Sequence, residues 1–532
     1  MNGTLIEFKG YSDEKLELLI FALEHLRGLL KRKGSNLMIK IGHSENVIVN
    51  LVSQVKASTL FFEEEIEYHL LRLINAVEDE VRSLPLEHTK IIKWRTPFFG
   101  SHEPDAKTPF YDDFKMPGMV TSPIRIINIP GVDVELDWGS IPSLRVLKAL
   151  IATDHLNFKN SYSLPKILSA DTMLRKRFNL PLDINDEDKH LSEIQKQAIG
   201  SGTHPTKSLR CLLSTYLKYF EENTHSQGLL VPEILVGKSF QVRFGPVLSL
   251  GMISRRRLHF EAVKFAKEQR LWLWPFRSER NTISETVFSI RSMEWYELLG
   301  RLSLRRNDRS WPIRIWKWNE FLIQYTCCGD RGPAVLLVHG FGAFLDHFRD
   351  NIGPLSAAGN RVWAITLVGF GRSEKPNIVY SELMWAELVR DFIIEVIKEP
   401  AHLIGNSIGG YVVAITSCCW PALVKSVVLI NSAGEITLES PHLQMSNERR
   451  LPVFAWVLAP FLLTLLRFTI RSTVKNCYPK EAERADDWLI AEMVRASCDP
   501  GGVAVMESVL GLNLWLPLNL LLKEKRGKVL VV

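Results

Sequence analysis

Gly405-Asn406-Ser407-Ile408-Gly409 is the chemically most suggestive stretch of the chain. This G-x-S-x-G run follows an apolar strand-like segment, His402–Ile404, and precedes an apolar helix-like run from Tyr411. Strand, sharp turn and helix in that order make a nucleophile elbow, which holds a serine in a strained backbone and aims a helix N-terminus at the reacting atoms. A serine attacking a carbonyl also needs donors for the oxyanion. Val335–Val338 reads as a strand running into His339-Gly340-Phe341-Gly342, and the backbone N–H of Phe341 is placed there to pair with that of Ile408. His339 belongs to this oxyanion turn. A third glycine turn, Gly369-Phe370-Gly371-Arg372-Ser373, lies between the two. The competing reading of Ser407 is a glycine-rich packing turn without chemistry.

Elements to position these turns are legible around them. Ile315–Trp318 and Phe321–Tyr325 read as a hairpin, and Ala334–Val338, Val362–Ile365, His402–Ile404 and Ser426–Ile430 as buried strands with helical patterns between them. That pattern predicts an α/β sheet. A separate run lies upstream. Ser12–Arg32 reads as an amphipathic helix, followed by a strand at Leu37–Ile41, a helix at Val47–Gln54, a strand at Thr59–Phe62, a helix at Ile66–Val81 and a strand at Ile91–Lys93. Strands alternating with helices predict parallel βαβ units in a doubly wound sheet. Residues 102–142, rich in proline and glycine, read as a connection. Helical patterns return at Leu191–Ala198, Ser208–Glu222 and Arg255–Arg270.

The whole chain has 532 residues, 46% hydrophobic and 23% charged, which excludes a disordered or collagen-like protein. Its net charge of +6 is mild. Residues 251–310 alone hold 13 Lys/Arg against 7 Asp/Glu, with Trp272, Trp274, Trp295 and Tyr296 interleaved. Such a stretch suits either a phosphate-bearing ligand or an ordinary solvated helix face. Seven scattered cysteines show neither a disulfide framework nor a metal motif. The first residues show no secretory signal. Leu451–Ile470 is almost wholly apolar but holds Pro460 and Arg467. It predicts a lid or buried helix pair rather than a membrane span, with peripheral membrane contact as a further option.

Two resemblances follow from these residues. Trp311–Val532 resembles the α/β-hydrolase superfamily, in its pheophytinase-like and epoxide-hydrolase-like branch. The resemblance rests on His339-Gly340-Phe341-Gly342, Gly369–Pro376, Trp385 and Gly405–Gly410. It implies a serine hydrolase acting on a hydrophobic ester, with no cofactor and a helical cap at about 435–525. Thr366 stands where this family usually has Asp. Residues 12–304 resemble the photolyase/cryptochrome family, through Gly34–Leu37 with Gly42, through Phe244–Arg255, and through Trp295–Leu298. That likeness implies FAD and DNA as ligands, with Arg243, Ser254 and Arg255 as remnants of a flavin cradle. Val242 and Gly245 replace the phosphate-binding Thr and Ser of that cradle. A fusion of these two parts implies a plant, chloroplast-directed protein, with a cytoplasmic location as the alternative.

The expected organisation is a photolyase-like α/β domain at 1–101 lacking its first strand, a connection at 102–142, an abbreviated helical flavin-domain-like region at 143–310 and a hydrolase domain at 311–532. In the hydrolase family the nucleophile is followed by an acid after a late strand and then by a His. Lys528–Val532 reads as the start of that strand, so the triad acid and His are expected to lie outside this chain. His347, His402 and His442 are poor substitutes by position, and Glu435 is an alternative acid with no His to orient.

Overall fold

The computed structural model describes residues 13–32, 34–84, 89–94, 137–157, 168–178, 240, 244–268, 278–305, 311–437, 455–478, 480–512, 514–523 and 527–532. The helices expected at Leu191–Ala198 and Ser208–Glu222 lie outside them, as do Arg243, Trp272, Trp274, His442 and most of 102–142.

In the first part, α1 (Asp13–Arg32) and α2 (Ser44–Val55) precede β1 (Thr59–Glu63), α3 (Tyr68–Ser83) and β2 (Lys90–Trp94). β1 and β2 pair in parallel through the α3 crossover. Val52, Leu60, Phe62, Ile74, Val77 and Val81 bury their side chains between them. The expected doubly wound sheet is not what the described residues form, since this sheet has two strands. Leu37–Ile41 is not a strand. Its backbone is taken elsewhere: the Arg27 guanidinium donates to the Leu37 carbonyl at 2.9 Å, and the Ile39 N–H donates to the Trp138 carbonyl at 3.0 Å.

Among the described residues there follow α4 (Leu144–Asn157), α5 (Ala170–Arg177), α6 (Arg255–Glu268) and α7 (Ser278–Leu304). Two of them pack against what comes after. On α5, the Ala170 N–H meets the Glu387 carboxylate at 2.7 Å and Arg177 reaches the Cys418 carbonyl at 2.7 Å. On α7, Trp295, Tyr296 and Leu299 are buried with Ile66, Ile315 and Leu322.

The remaining strands are β3 (Ile313–Trp318), β4 (Phe321–Cys328), β5 (Ala334–Val338), β6 (Arg361–Ile365), β7 (Ala401–Asn406), β8 (Val424–Ile430) and β9 (Val529–Val531). Between them run α8 (Arg349–Ala357), α9 (Glu382–Phe392), α10 (Ile408–Cys419), α11 (Ala455–Cys477), α12 (Asp487–Cys498), α13 (Gly502–Leu510) and α14 (Leu518–Leu522). The strands form one seven-stranded sheet in the order β3-β4-β6-β5-β7-β8-β9. β3–β4 and β4–β6 are antiparallel, and the rest is parallel. β5 is the central example of a strand covered on both faces: all of Ala-Val-Leu-Leu-Val is buried. β9 lies at the sheet edge, with Leu530 and Val531 56% and 68% exposed.

Leu451–Ile470 predicted a lid or helix pair. From Ala455 onward it is a single helix, α11, which runs through Pro460. Pro460 has no N–H to donate, so the helix forgoes one backbone hydrogen bond at that position. No described helix is long and apolar enough to cross a membrane.

Candidate functional site

Parallel strands end on one side of their sheet, and ligands of open α/β sheets bind there. The turns after β5, β6, β7 and β8 therefore converge. Ser407 follows β7 at φ 53° and ψ −121° and is one of six described non-glycine residues with positive φ. Such a conformation costs on the order of 1–3 kcal/mol and persists only when the surroundings dictate it. Here they do. The Ser407 N–H donates to the Ile430 carbonyl at 3.0 Å, and its own carbonyl accepts from Gly410 at 2.9 Å and Ala433 at 2.9 Å.

The glycines of the elbow are required by close approach. A Cβ on Gly405 would lie 2.4 Å from the Gly409 carbonyl oxygen, and one on Gly409 would lie 2.4 Å from the His339 carbonyl oxygen. The oxyanion turn abuts the same spot: a Cβ on Gly340 would come within 3.0 Å of the Ser407 Cβ. The structure thus brings His339, Gly340 and Ser407 together. Ile408 opens α10, where first-turn N–H groups have no intrahelical partner. Among the described residues, the N–H groups of Phe341 and Ile408 have no hydrogen-bond acceptor. The Phe341 ring is 41% exposed beside Phe370, 6.1 Å away edge to face.

His339 is structural. Its Nε2 accepts from the Leu367 N–H at 3.0 Å, so its proton sits on Nδ1, which donates to the Gly340 carbonyl at 2.7 Å. Burial pushes its pKa down to about 3, against the Gly340 carbonyl. His347 is likewise held by burial at about 4, and its Nδ1 accepts from the Phe344 N–H at 3.2 Å. His402 meets the Ser426 hydroxyl at 2.7 Å near the start of β7, away from the elbow. Glu435 follows β8 and is exposed, its carbonyl accepting from the Leu518 N–H at 2.8 Å. Thr366 fills the family's Asp position by accepting from the Leu345 N–H at 3.1 Å through its hydroxyl.

His339 makes stability pH-dependent with a defined sign. An unfolded imidazole titrates near 6.5 and this one near 3. Its contribution is therefore complete above pH 6.5 and is lost as pH falls toward 3, at about 1.4 kcal/mol per pH unit. Glu374, raised by burial to about 7, acts in the opposite sense, gaining stability as pH falls. The expected result is read as a difference: urea unfolding of His339→Gln between about pH 7 and pH 4 lacks one proton's worth of the wild-type slope. Equal slopes would contradict it.

The sequence did not reveal a buried ionic network beside the site. Arg372 of the middle glycine turn meets Glu492 on α12 at 2.6 Å, and Arg495 meets Glu492 at 2.9 Å and Asp499 at 2.7 Å. Lys375 meets Asp499 at 2.8 Å, and the Trp295 indole N–H on α7 donates to the same carboxylate at 2.9 Å. Burial favours protonated Glu492, but Arg495 and Arg372 outweigh it and bring the carboxyl to about 2. Burial lowers Lys375 to about 8, with Asp499 opposing. The available signal was Glu492, Arg495 and Asp499 at spacings of three and four in a helix that is otherwise largely apolar.

The flavin-cradle residues that are described have other tasks. The Ser254 hydroxyl accepts from the Arg257 N–H at 3.2 Å, capping α6. Arg255 pairs with Glu294 at 2.8 Å and with Glu297. Occupied in this way, they do not fit a flavin pyrophosphate.

Residues 335–518 match the family model described as the alpha/beta hydrolase family. The chain is 32% identical to a chloroplastic pheophytinase of Arabidopsis thaliana, over 19% of this chain and 27% of that one. It is 34% identical to a 2-hydroxy-6-oxo-6-(2'-aminophenyl)hexa-2,4-dienoic acid hydrolase of Metapseudomonas resinovorans, over 20% and 37% of the two chains. The chain thus spans only 27% and 37% of the length of these curated relatives. Among solved structures, an epoxide hydrolase, CorEH, aligns with 38% of this chain and 73% of its own at 20% identity and a TM-score of 0.32. Strand order, elbow and matched segment together support an α/β-hydrolase domain around residues 335–518.

Proposed function

We propose that the α/β-hydrolase domain is a serine hydrolase for an ester of a hydrophobic substrate. Ser407 Oγ attacks the ester carbonyl, the N–H groups of Phe341 and Ile408 hold the oxyanion, and the alcohol leaves to give an acyl-serine that water cleaves. This chemistry needs no cofactor. The observation that carries the reading is the positive-φ Ser407 between β7 and α10 with the Gly340 turn against it. The apolar cap and the exposed Phe341 ring support a greasy acyl or alcohol group. A plastid location belongs to the same proposal, in line with the name of the Arabidopsis relative. The photolyase-like reading of the first half rests on motif resemblance, with Ser254 and Arg255 as remnants without FAD.

Prolonged incubation with a fluorophosphonate probe, followed by peptide mapping, tests the nucleophile. The expected adduct sits on Ser407 and is absent from Ser407→Ala. Equal labelling of the variant, or no adduct at all, would leave a non-catalytic scaffold as the better description.

A further inference from the structure

We infer that the outer face of α11 docks onto a lipid surface that carries anionic headgroups. α11 is apolar on two sides. Its inner side buries Ala459 and Leu463 with Met506, and Val474 with Phe344 and Leu489. Its outer side presents Leu458, Phe461, Leu465 and Phe468, which are 40%, 63%, 48% and 83% exposed. Spacings of three, four and three place these four on one helical stripe. Among the described residues, none covers the Phe468 ring.

Charge indicates what covers this stripe. α11 carries Arg467, Arg471 and Lys475 and no carboxylate. Arg467 turns inward to the Ser497 carbonyl at 2.6 Å. Arg471 and Lys475 are exposed one and two turns beyond Phe468, and the helical period sets Lys475 nearly in line with the stripe. Of the four carboxylates that follow the helix, Glu481 and Asp486 are held by Arg484 and Arg349, Asp487 is paired with Arg471, and Glu483 has no ion pair among the described residues, so Lys475 is the cation that α11 leaves unpaired there. A Phe and Leu stripe ending in a lysine suits a helix lying in a bilayer interface, rings among the acyl chains and the ammonium group at headgroup level. A second copy fits less well. Complete burial of the four side chains removes roughly 500 Å² per copy, about 1,000 Å² for a pair, short of the ~1,200–2,000 Å² of a stable interface.

Docking would place the Phe344 side of the cap, and with it the oxyanion turn, beside the layer in which a hydrophobic ester dissolves. The surface stands independently of Ser407, so its failure and that of the hydrolase reading are separable.

Flotation of the 532-residue chain with vesicles tests it. The expected wild type floats with phosphatidylcholine–phosphatidylglycerol vesicles and less with phosphatidylcholine alone. Phe461→Ser/Phe468→Ser lowers the bound fraction at least about tenfold without shifting the melting temperature downward. Lys475→Glu removes the preference for phosphatidylglycerol. Wild type that stays with the soluble fraction, or a double variant that floats as well as wild type, would overturn the proposal. So would a lipid-free, concentration-dependent dimer abolished by the double variant, which would assign the stripe to a second copy.

Discussion

Ester hydrolysis by the 532-residue chain is expected to be slow, and to rise at least about tenfold when imidazole is added. In the proposed reading the elbow supplies a nucleophile and two donors, but no described His is placed to take the proton from Ser407. His339 has both nitrogens engaged, His347 is tied to Phe344 and His402 sits near the other end of β7. A positioned base contributes about 10²–10⁴ in rate, and loss of a triad member leaves the oxyanion hole working almost alone. Imidazole diffusing to the elbow substitutes for that base. The measurement is p-nitrophenyl butyrate hydrolysis by wild type minus that by Ser407→Ala at each imidazole concentration, which removes imidazole's own esterolysis. Fast Ser407-dependent turnover without imidazole would place a base among residues outside those described. Absence of rescue would remove the acyl-transfer reading.

Replacing Asp499 by Ala is expected to destabilise the fold by about 3–5 kcal/mol, the effect of removing one member of a buried ion pair. Asp499 holds Arg495, Lys375 and the Trp295 indole at 2.7, 2.8 and 2.9 Å, all buried. Without the carboxylate, three buried cations, Arg372, Arg495 and Lys375, stay inside with a single remaining carboxylate, Glu492, among them. Urea unfolding reads the loss. Lys375→Met in the Asp499→Ala background removes one stranded charge and should recover part of it, a coupling that a double-mutant cycle makes visible. Asp330→Ala, on an exposed loop, serves as the surface comparison and should stay within about 0.5 kcal/mol. A loss below about 1 kcal/mol for Asp499→Ala would mean that water reaches the network.

The hydrolase sheet was readable because its strands are continuous apolar runs. Ala334–Val338 and Ser426–Ile430 admit few other fates, and glycines at 405 and 409 mark where backbone meets backbone. Ser407's positive φ follows from the same turn. Leu37–Ile41 looked equally strand-like, but Arg27 and the Trp138 carbonyl, distant in sequence, claimed its backbone groups. α11 looked breakable because Pro460 interrupts the apolar run, yet the helix continues through it. The ionic network was illegible for a general reason. Charges on a helix read as a solvated face until partners from another element are known, and those of Glu492, Arg495 and Asp499 come from Gly371, Arg372, Lys375 and Trp295.

That network also sets a timetable for the newly made chain. Trp295 and Asp499 are 204 positions apart. At ribosomal rates of ~5–20 residues per second, α7 emerges roughly 10–40 s before its partner carboxylate exists. Through that interval Trp295 lacks its hydrogen-bond acceptor, and Tyr296 lacks the Pro500 carbonyl that its hydroxyl contacts at 2.7 Å. The first half of the chain therefore cannot complete its packing on its own during translation. Those two contacts form only once Asp499 and Pro500, just past α12, have been synthesised.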